Sequence, residues 1–215
     1  MKPAVRVALR WVMLAVLLAL AVFVALGPRQ GTERDPAGSA ASPDRSVDLN
    51  RLRIDAALQP CPAPPPDAPA SEGPLAGVVL PCLGTGDAVD LGAALAGRPA
   101  LLNLWGPLCR PCAEELPALA AYAAEPGAVP VLGVEVQQLP GGALDMLTAL
   151  NVHYPSVSDP EGRLRAALGA PPVLPLSFVV SADGQVSQVN PPRVLRTPQQ
   201  VRAVVERSLG PGATG

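Results

Sequence analysis

The spacing of apolar positions changes several times along the chain, and each change marks an element. Behind Lys2, Arg6 and Arg10 stands an uncharged apolar run from Trp11 to Leu26. From Val47 to Leu58, the apolar residues Val47, Leu49, Leu52, Ile54, Ala57 and Leu58 mix with Arg51, Arg53 and Asp55, which suits a short helix lying on a domain. Leu75 to Leu83 reads as a strand, Gly84 to Asp87 as a turn and Ala88 to Asp90 as a short return strand. Leu91 to Ala96 predicts a short helix, stopped by Gly97-Arg98-Pro99. Ala100 to Trp105 is apolar except for Asn103, as expected of a central strand buried on both faces. A helix from about Cys112 to Ala124 follows, with Leu116, Leu119, Ala120 and Ala123 on one face and Pro117 expected to kink it.

Val129 to Val136 predicts a second buried strand, Gly142 to Leu150 a helix, and Tyr154 to Val157 a short extended piece. Asp159 is expected to cap a helix that has Pro160 at its first position and runs to about Leu168. Leu174 to Val180 reads as a strand, Ala182-Asp183-Gly184 as a hairpin turn, and Gln185 to Val189 as its return. Thr197-Pro198-Gln199-Gln200 opens the last helix as a capping box, with Val201, Val204, Val205 and Leu209 as its apolar stripe. This order predicts an α/β domain with a central mixed sheet flanked by helices.

Composition adds the domain plan. The 28 prolines cluster, so they mark linkers rather than a disordered whole. Residues 1–26 are expected to be a targeting segment, because basic residues before an apolar run leave the N-terminus in the cytoplasm. The run falls short of the roughly 20 residues that span a bilayer comfortably. An uncleaved signal anchor, lengthened through Val5, Val7, Ala8 and Leu9, is preferred over a cleaved signal peptide, which would leave the protein secreted. Residues 27–45 read as a flexible tether, 46–74 as a helix and Pro-rich loop, and 75–210 as the main domain. A net charge of −2 without a basic stripe gives no reason to expect nucleic acid as a partner.

The chemistry sits where the strand ending at Trp105 hands over to a helix, in Cys109-Arg110-Pro111-Cys112. Two thiols at that spacing and place form a redox pair. The first lies at the helix N-terminus, where partial positive charge favours the nucleophilic thiolate, and the second lies one turn deeper, placed to resolve a mixed disulfide. Haem attachment would need His at position 113, where Ala113 stands, and structural zinc would need two further close ligands. An inert disulfide is the plain alternative. The sequence lacks the Pro-x-x-x-Thr/Ser-x-x-Cys run of a peroxidase. Cys61 and Cys82 complete an even count in an exported chain, so a structural Cys61–Cys82 disulfide is preferred over a second redox pair. His153 reads as structural, and Trp105 as packing beneath the loop.

The run Asn103-x-Trp105-x₃-Cys109-x-Pro111-Cys112-x-x-Glu115-x-Pro117 resembles the active-site signature of the thioredoxin fold in its TlpA/ResA subgroup, membrane-anchored extracytoplasmic thiol-disulfide oxidoreductases. The likeness covers roughly Leu75 to Leu209 and includes Pro175-x-Ser177-Phe178-Val179-Val180 followed by Asp183-Gly184. It departs at Leu108, where an aromatic is common, and at Gly106-Pro107. The resemblance implies Cys109 as attacking and Cys112 as resolving cysteine, Pro175 as the cis-proline of the substrate groove, and Glu115 as proton acceptor for Cys112. Arg110 would tune the thiol. It further implies protein disulfide or dithiol substrates, a membrane electron donor, reduction as the commoner direction (as in cytochrome c maturation), and no cofactor. A binding module that keeps the fold with its thiols locked is the other reading.

Overall fold

The computed structural model describes residues 16–17, 43–67 and 72–210. Nearly all of the expected targeting segment and of the expected tether therefore lies outside the described residues. Among the described residues no helix is long and apolar enough to cross a membrane.

Helix α1 (Pro43–Ala56) leads to a hairpin, β1 (Val79–Pro81) and β2 (Ala88–Asp90), and a one-turn helix, α2 (Leu91–Ala94). The body then alternates as β3 (Ala100–Trp105), α3 (Arg110–Ala123), β4 (Val131–Glu135), α4 (Pro140–Ala149), β5 (Ser156–Ser158), α5 (Arg163–Ala167), β6 (Leu176–Val180), β7 (Val186–Gln188) and α6 (Pro198–Leu209). The five last-named strands form one sheet in the order β5-β4-β3-β6-β7. β3, β4 and β5 run parallel, while β6 is antiparallel to β3 and turns back into β7.

Side-chain alternation divides the sheet between two cores. Leu101 and Trp105 of β3, Val131 of β4 and Val179 of β6 pack with α3, α4, α6 and the end of α1. Leu102, Leu104, Leu132, Val134, Leu176, Phe178 and Val180 face the other way, toward the hairpin, α2 and α5. β3 is buried along its whole length, which explains its nearly unbroken apolar sequence.

The differences from expectation have local causes. The strand expected over Leu75–Leu83 shrinks to β1 because Leu75–Gly77 folds into a turn, with Gly77 at φ +71°. β6 starts at Leu176 rather than Leu174, because Pro175 has no N–H to give to the ladder; the Leu174-Pro175 peptide is cis. Asp159 does not cap α5 at the expected place. The helix starts after Gly162 at φ +68°, and Asp159 Oδ2 instead accepts from the Arg165 N–H at 3.1 Å. At α6, Thr197 caps as expected by accepting from the Gln200 N–H at 3.2 Å. The Gln200 side chain, however, accepts from Arg196 N–H at 2.8 Å, one residue before the cap. α3 is continuous through Pro117.

Candidate active site

β3 ends at Trp105, and Gly106-Pro107-Leu108 turns the chain into α3. The Cys109 N–H donates to Gly106 O at 3.0 Å, closing that turn. Cys109 is the N-cap of α3, in extended backbone at φ −96°, with Pro111 in the helix's first turn. Its Sγ accepts from the Cys112 N–H at 3.2 Å, a donor it shares with the Cys109 carbonyl oxygen at 3.0 Å, so the helix end presents an N–H to the sulfur. Cys109 and Cys112 are joined at an S–S distance of 2.05 Å. Cys109 keeps 8% of its surface and Cys112 none, so reagents reach only the first. Arg110 and Pro111 are exposed, and Leu108 is the most open large apolar residue of the domain at 77%.

Pro175 is buried at the start of β6. Because β6 pairs Leu176 with Leu104, the cis peptide lies at the same end of the sheet as Trp105 and the cysteine loop. Sequence order alone separates these residues, and the antiparallel return of β6 brings them to one rim.

Glu115 lies one helical turn beyond Cys112 and is completely buried. Its Oε2 accepts from Asn103 Nδ2 at 2.8 Å and its Oε1 from the Leu195 N–H at 2.8 Å. Burial pushes its carboxyl from 4.5 up to about 7, although the Leu195 and Asn103 donors pull the other way. Desolvation outweighs the two hydrogen bonds. Asn103 Nδ2 also donates to Ser177 Oγ at 3.2 Å, so β3, α3 and β6 meet in one buried polar chain. Tyr154 is buried nearby, its phenol raised well above its ordinary value by burial and then by the Glu115 charge. The neighbouring acid Glu114 behaves differently, lying half-exposed in an ion pair with Arg196 at 2.9 Å.

Cys61 and Cys82 are joined at 2.07 Å and lie away from this chemistry, against the core that faces the hairpin. His153 sits between two oxygens, Nδ1 2.8 Å from Ala56 O and Nε2 3.1 Å from Asn151 Oδ1, where it links α1 to the turn after α4. Among the described residues no group of three or more His, Cys, Asp or Glu is placed to hold a metal ion. Sequence reasoning did not reach Gln137, whose Oε1 accepts from the Leu108 N–H at 2.8 Å. The signal available was Gly106, a glycine at the edge of a buried strand, which often marks a close approach.

A model of the Redoxin family matches residues 67–205. The thiol:disulfide interchange protein DsbE of Xylella fastidiosa is 37% identical over 93 residues, covering 43% of this chain and 46% of the relative. The thiol-disulfide oxidoreductase ResA of Bacillus subtilis is 28% identical over 97 residues, covering 44% of this chain and 54% of the relative. The chain spans about half the length of the curated relatives it matches. A secreted Mycobacterium tuberculosis disulfide oxidoreductase homologous to E. coli DsbE has a similar structure, with a TM-score of 0.55 at 28% identity over 62% of this chain and 97% of that one. The mixed sheet with flanking helices is thus a thioredoxin-like fold. With more than half of its length matched by the family model, the chain belongs to the Redoxin family.

Proposed function

We propose that the protein is an extracytoplasmic thiol-disulfide oxidoreductase that exchanges disulfides with protein substrates through Cys109 and Cys112, acting as a reductant. One observation carries this reading: the accessible sulfur is the one at the helix N-terminus, within reach of the Cys112 N–H at 3.2 Å, while its partner is sealed beneath it. That asymmetry supports an order for the two steps. Reduced Cys109, as thiolate, attacks a substrate disulfide, forms a mixed disulfide and expels one substrate thiolate. Cys112 then loses its proton and attacks Cys109 Sγ, which releases the second substrate thiolate and leaves the Cys109–Cys112 disulfide. Two electrons pass to the substrate, so a dithiol donor, which we take to be membrane-borne, restores the pair.

The resolving step needs a base inside the protein, because Cys112 has no contact with water. Glu115 follows Cys112 by three residues, hence on the same side of α3, and its carboxyl titrates near 7, where it can take a proton and return it. Pro175, on the same rim as Cys109, would shape the groove where the substrate strand lies. The names of the DsbE and ResA relatives support the exchange class. The basic-then-apolar start of the chain motivates an anchor over residues 1–26 and a tether over 27–45, with the domain on the outer face of the cell membrane.

Trapping tests the assignment. Cys112→Ser should accumulate disulfide-linked adducts with protein substrates, seen as reductant-sensitive bands of higher mass, and Cys109→Ser should give almost none. Equal trapping by both variants, or none by either, would overturn the two roles and leave the locked binding module.

A further inference from the structure

The cysteine loop is gripped from outside by a residue beyond the CxxC run. The Leu108 N–H donates to Gln137 Oε1 at 2.8 Å, one residue before the attacking sulfur. The same side chain lies so close over Gly106 that a Cβ there would run into its Cγ, Cδ and Oε1. Gln137 is itself anchored. Its N–H donates to Glu135 Oε1 at 2.6 Å, the Leu139 N–H reaches that oxygen at 3.3 Å, and Ser158 Oγ donates to Glu135 Oε2 at 2.7 Å. Glu135 is completely buried, so the grip is built on β4 and β5, not on a mobile surface side chain. Gln138 follows at φ +59°, turning the chain away toward α4.

We propose that Gln137 is a positioning residue that holds Cys109 in its attacking geometry when the pair is reduced. The proposal rests on Cys109 being the exchanging sulfur. In the oxidised form the covalent bond to Cys112 fixes the loop, and Gln137 is one constraint among several. Reduction removes that bond. The turn from Cys109 N–H to Gly106 O, the N-cap contact and the Gln137 grip then hold the sulfur over the helix end. The contribution of Gln137 therefore falls mainly on the reduced state. Losing it lets Leu108 and Cys109 drift from the donors that stabilise the thiolate, so the reduced form becomes less stable relative to the oxidised one and attack slows. The same grip keeps the Leu108 side chain turned out beside the sulfur, where a substrate meets it.

The test uses Gln137→Met, which keeps length and shape but lacks the amide oxygen. Its thiol–disulfide equilibrium against glutathione should shift about fivefold toward the oxidised form, the size of one hydrogen bond. The Leu108 amide should lose more hydrogen-exchange protection in the reduced protein than in the oxidised one, and the melting point of the oxidised form should hold. Gly106→Ala should slow exchange by pushing the Gln137 side chain off the Leu108 N–H, and Gly106→Ala/Gln137→Ala should be no slower than Gln137→Ala alone. An unmoved equilibrium, or equal loss of protection in both forms, would overturn the positioning role, as would a Gly106→Ala variant as reactive as the parent. Failure of the underlying exchange reading would look different: the Cys112→Ser variant would trap nothing.

Discussion

The protein carries the same covalent bond twice, in surroundings that give it opposite characters. Cys109–Cys112 closes a separation of three residues and Cys61–Cys82 one of 21. Loop-closure entropy makes the longer bridge the more stabilising one, worth roughly 3 kcal/mol against about 2 in the chain-entropy model, and it ties the Pro-rich segment to the hairpin beside β5. The groups around the sulfurs differ as much. Cys109 faces a backbone N–H at a helix start with Arg110 beside it, all of which favours a thiolate. Cys61 Sγ lies 3.3 Å from the Ser156 carbonyl oxygen, and Asp87 and Asp90 line the same cleft. A thiolate there would meet an oxygen lone pair and two acids. Redox chemistry thus follows from what surrounds the sulfur, not from the presence of a disulfide.

Removing each bond in turn gives the largest expected effect. Cys109→Ala should reduce disulfide exchange to background in an insulin-reduction assay while costing the smaller share of stability in urea unfolding, about 2 kcal/mol for so short a loop. Cys61→Ala/Cys82→Ala should do the reverse, losing roughly 3 kcal/mol of stability and keeping its exchange rate per folded molecule. If the double variant lost exchange while still folded, the second bond would belong to an electron relay and the contrast would fail.

Glu115, proposed above as the base for Cys112, sharpens the contrast next. A carboxyl whose pKa is higher folded than unfolded holds a proton the unfolded chain gives up. Its contribution is complete below 4.5 and is lost as pH rises through about 7. Above pH 7 the buried charge costs on the order of 3 kcal/mol. Glu115→Gln should therefore be more stable than the parent at pH 8, and its stability should vary less between pH 5 and 7. Its resolving rate should also lose the inflection near pH 7 that rapid mixing would record for the parent. An inflection that survives in Glu115→Gln belongs to another group.

The first disulfide and its strand and helix were legible because their signals are local, and the cis-proline through the family resemblance. Ala100 to Trp105 is apolar nearly throughout, and Cys109-x-x-Cys112 stands directly after a turn. The bridge from Cys61 to Cys82 was reachable from an even count of cysteines. What escaped depends on tertiary neighbours. Glu114 and Glu115 are told apart in the sequence only through the resemblance, and the physical reason is tertiary: the helix phase that turns Cys112 inward also buries Glu115 and leaves Glu114 in solvent with Arg196. Asn103 meets Ser177 only because β6 pairs antiparallel with β3 in the register that sets those two opposite each other. Gln137 is read as a loop residue until β4 and the cysteine loop lie side by side.

The smallest expected effect concerns Arg110, which occupies the first helical position beside Cys109 and is exposed. Its charge favours the thiolate only through solvent, so the effect belongs with surface ion pairs, about 0.5 kcal/mol or a two- to threefold change in reactivity. Arg110→Ser should slow alkylation of reduced Cys109 by that factor at low ionic strength. At 1 M salt, where screening acts within about 3 Å, parent and variant should converge. The backbone donor at 3.2 Å from Cys109 Sγ is not screened in this way, so most of the activation should survive both the substitution and the salt. A tenfold loss that persists in 1 M salt would mean that the guanidinium contacts the sulfur directly in the reduced protein. The difference between the two disulfides would then rest on a side chain more than on the helix end.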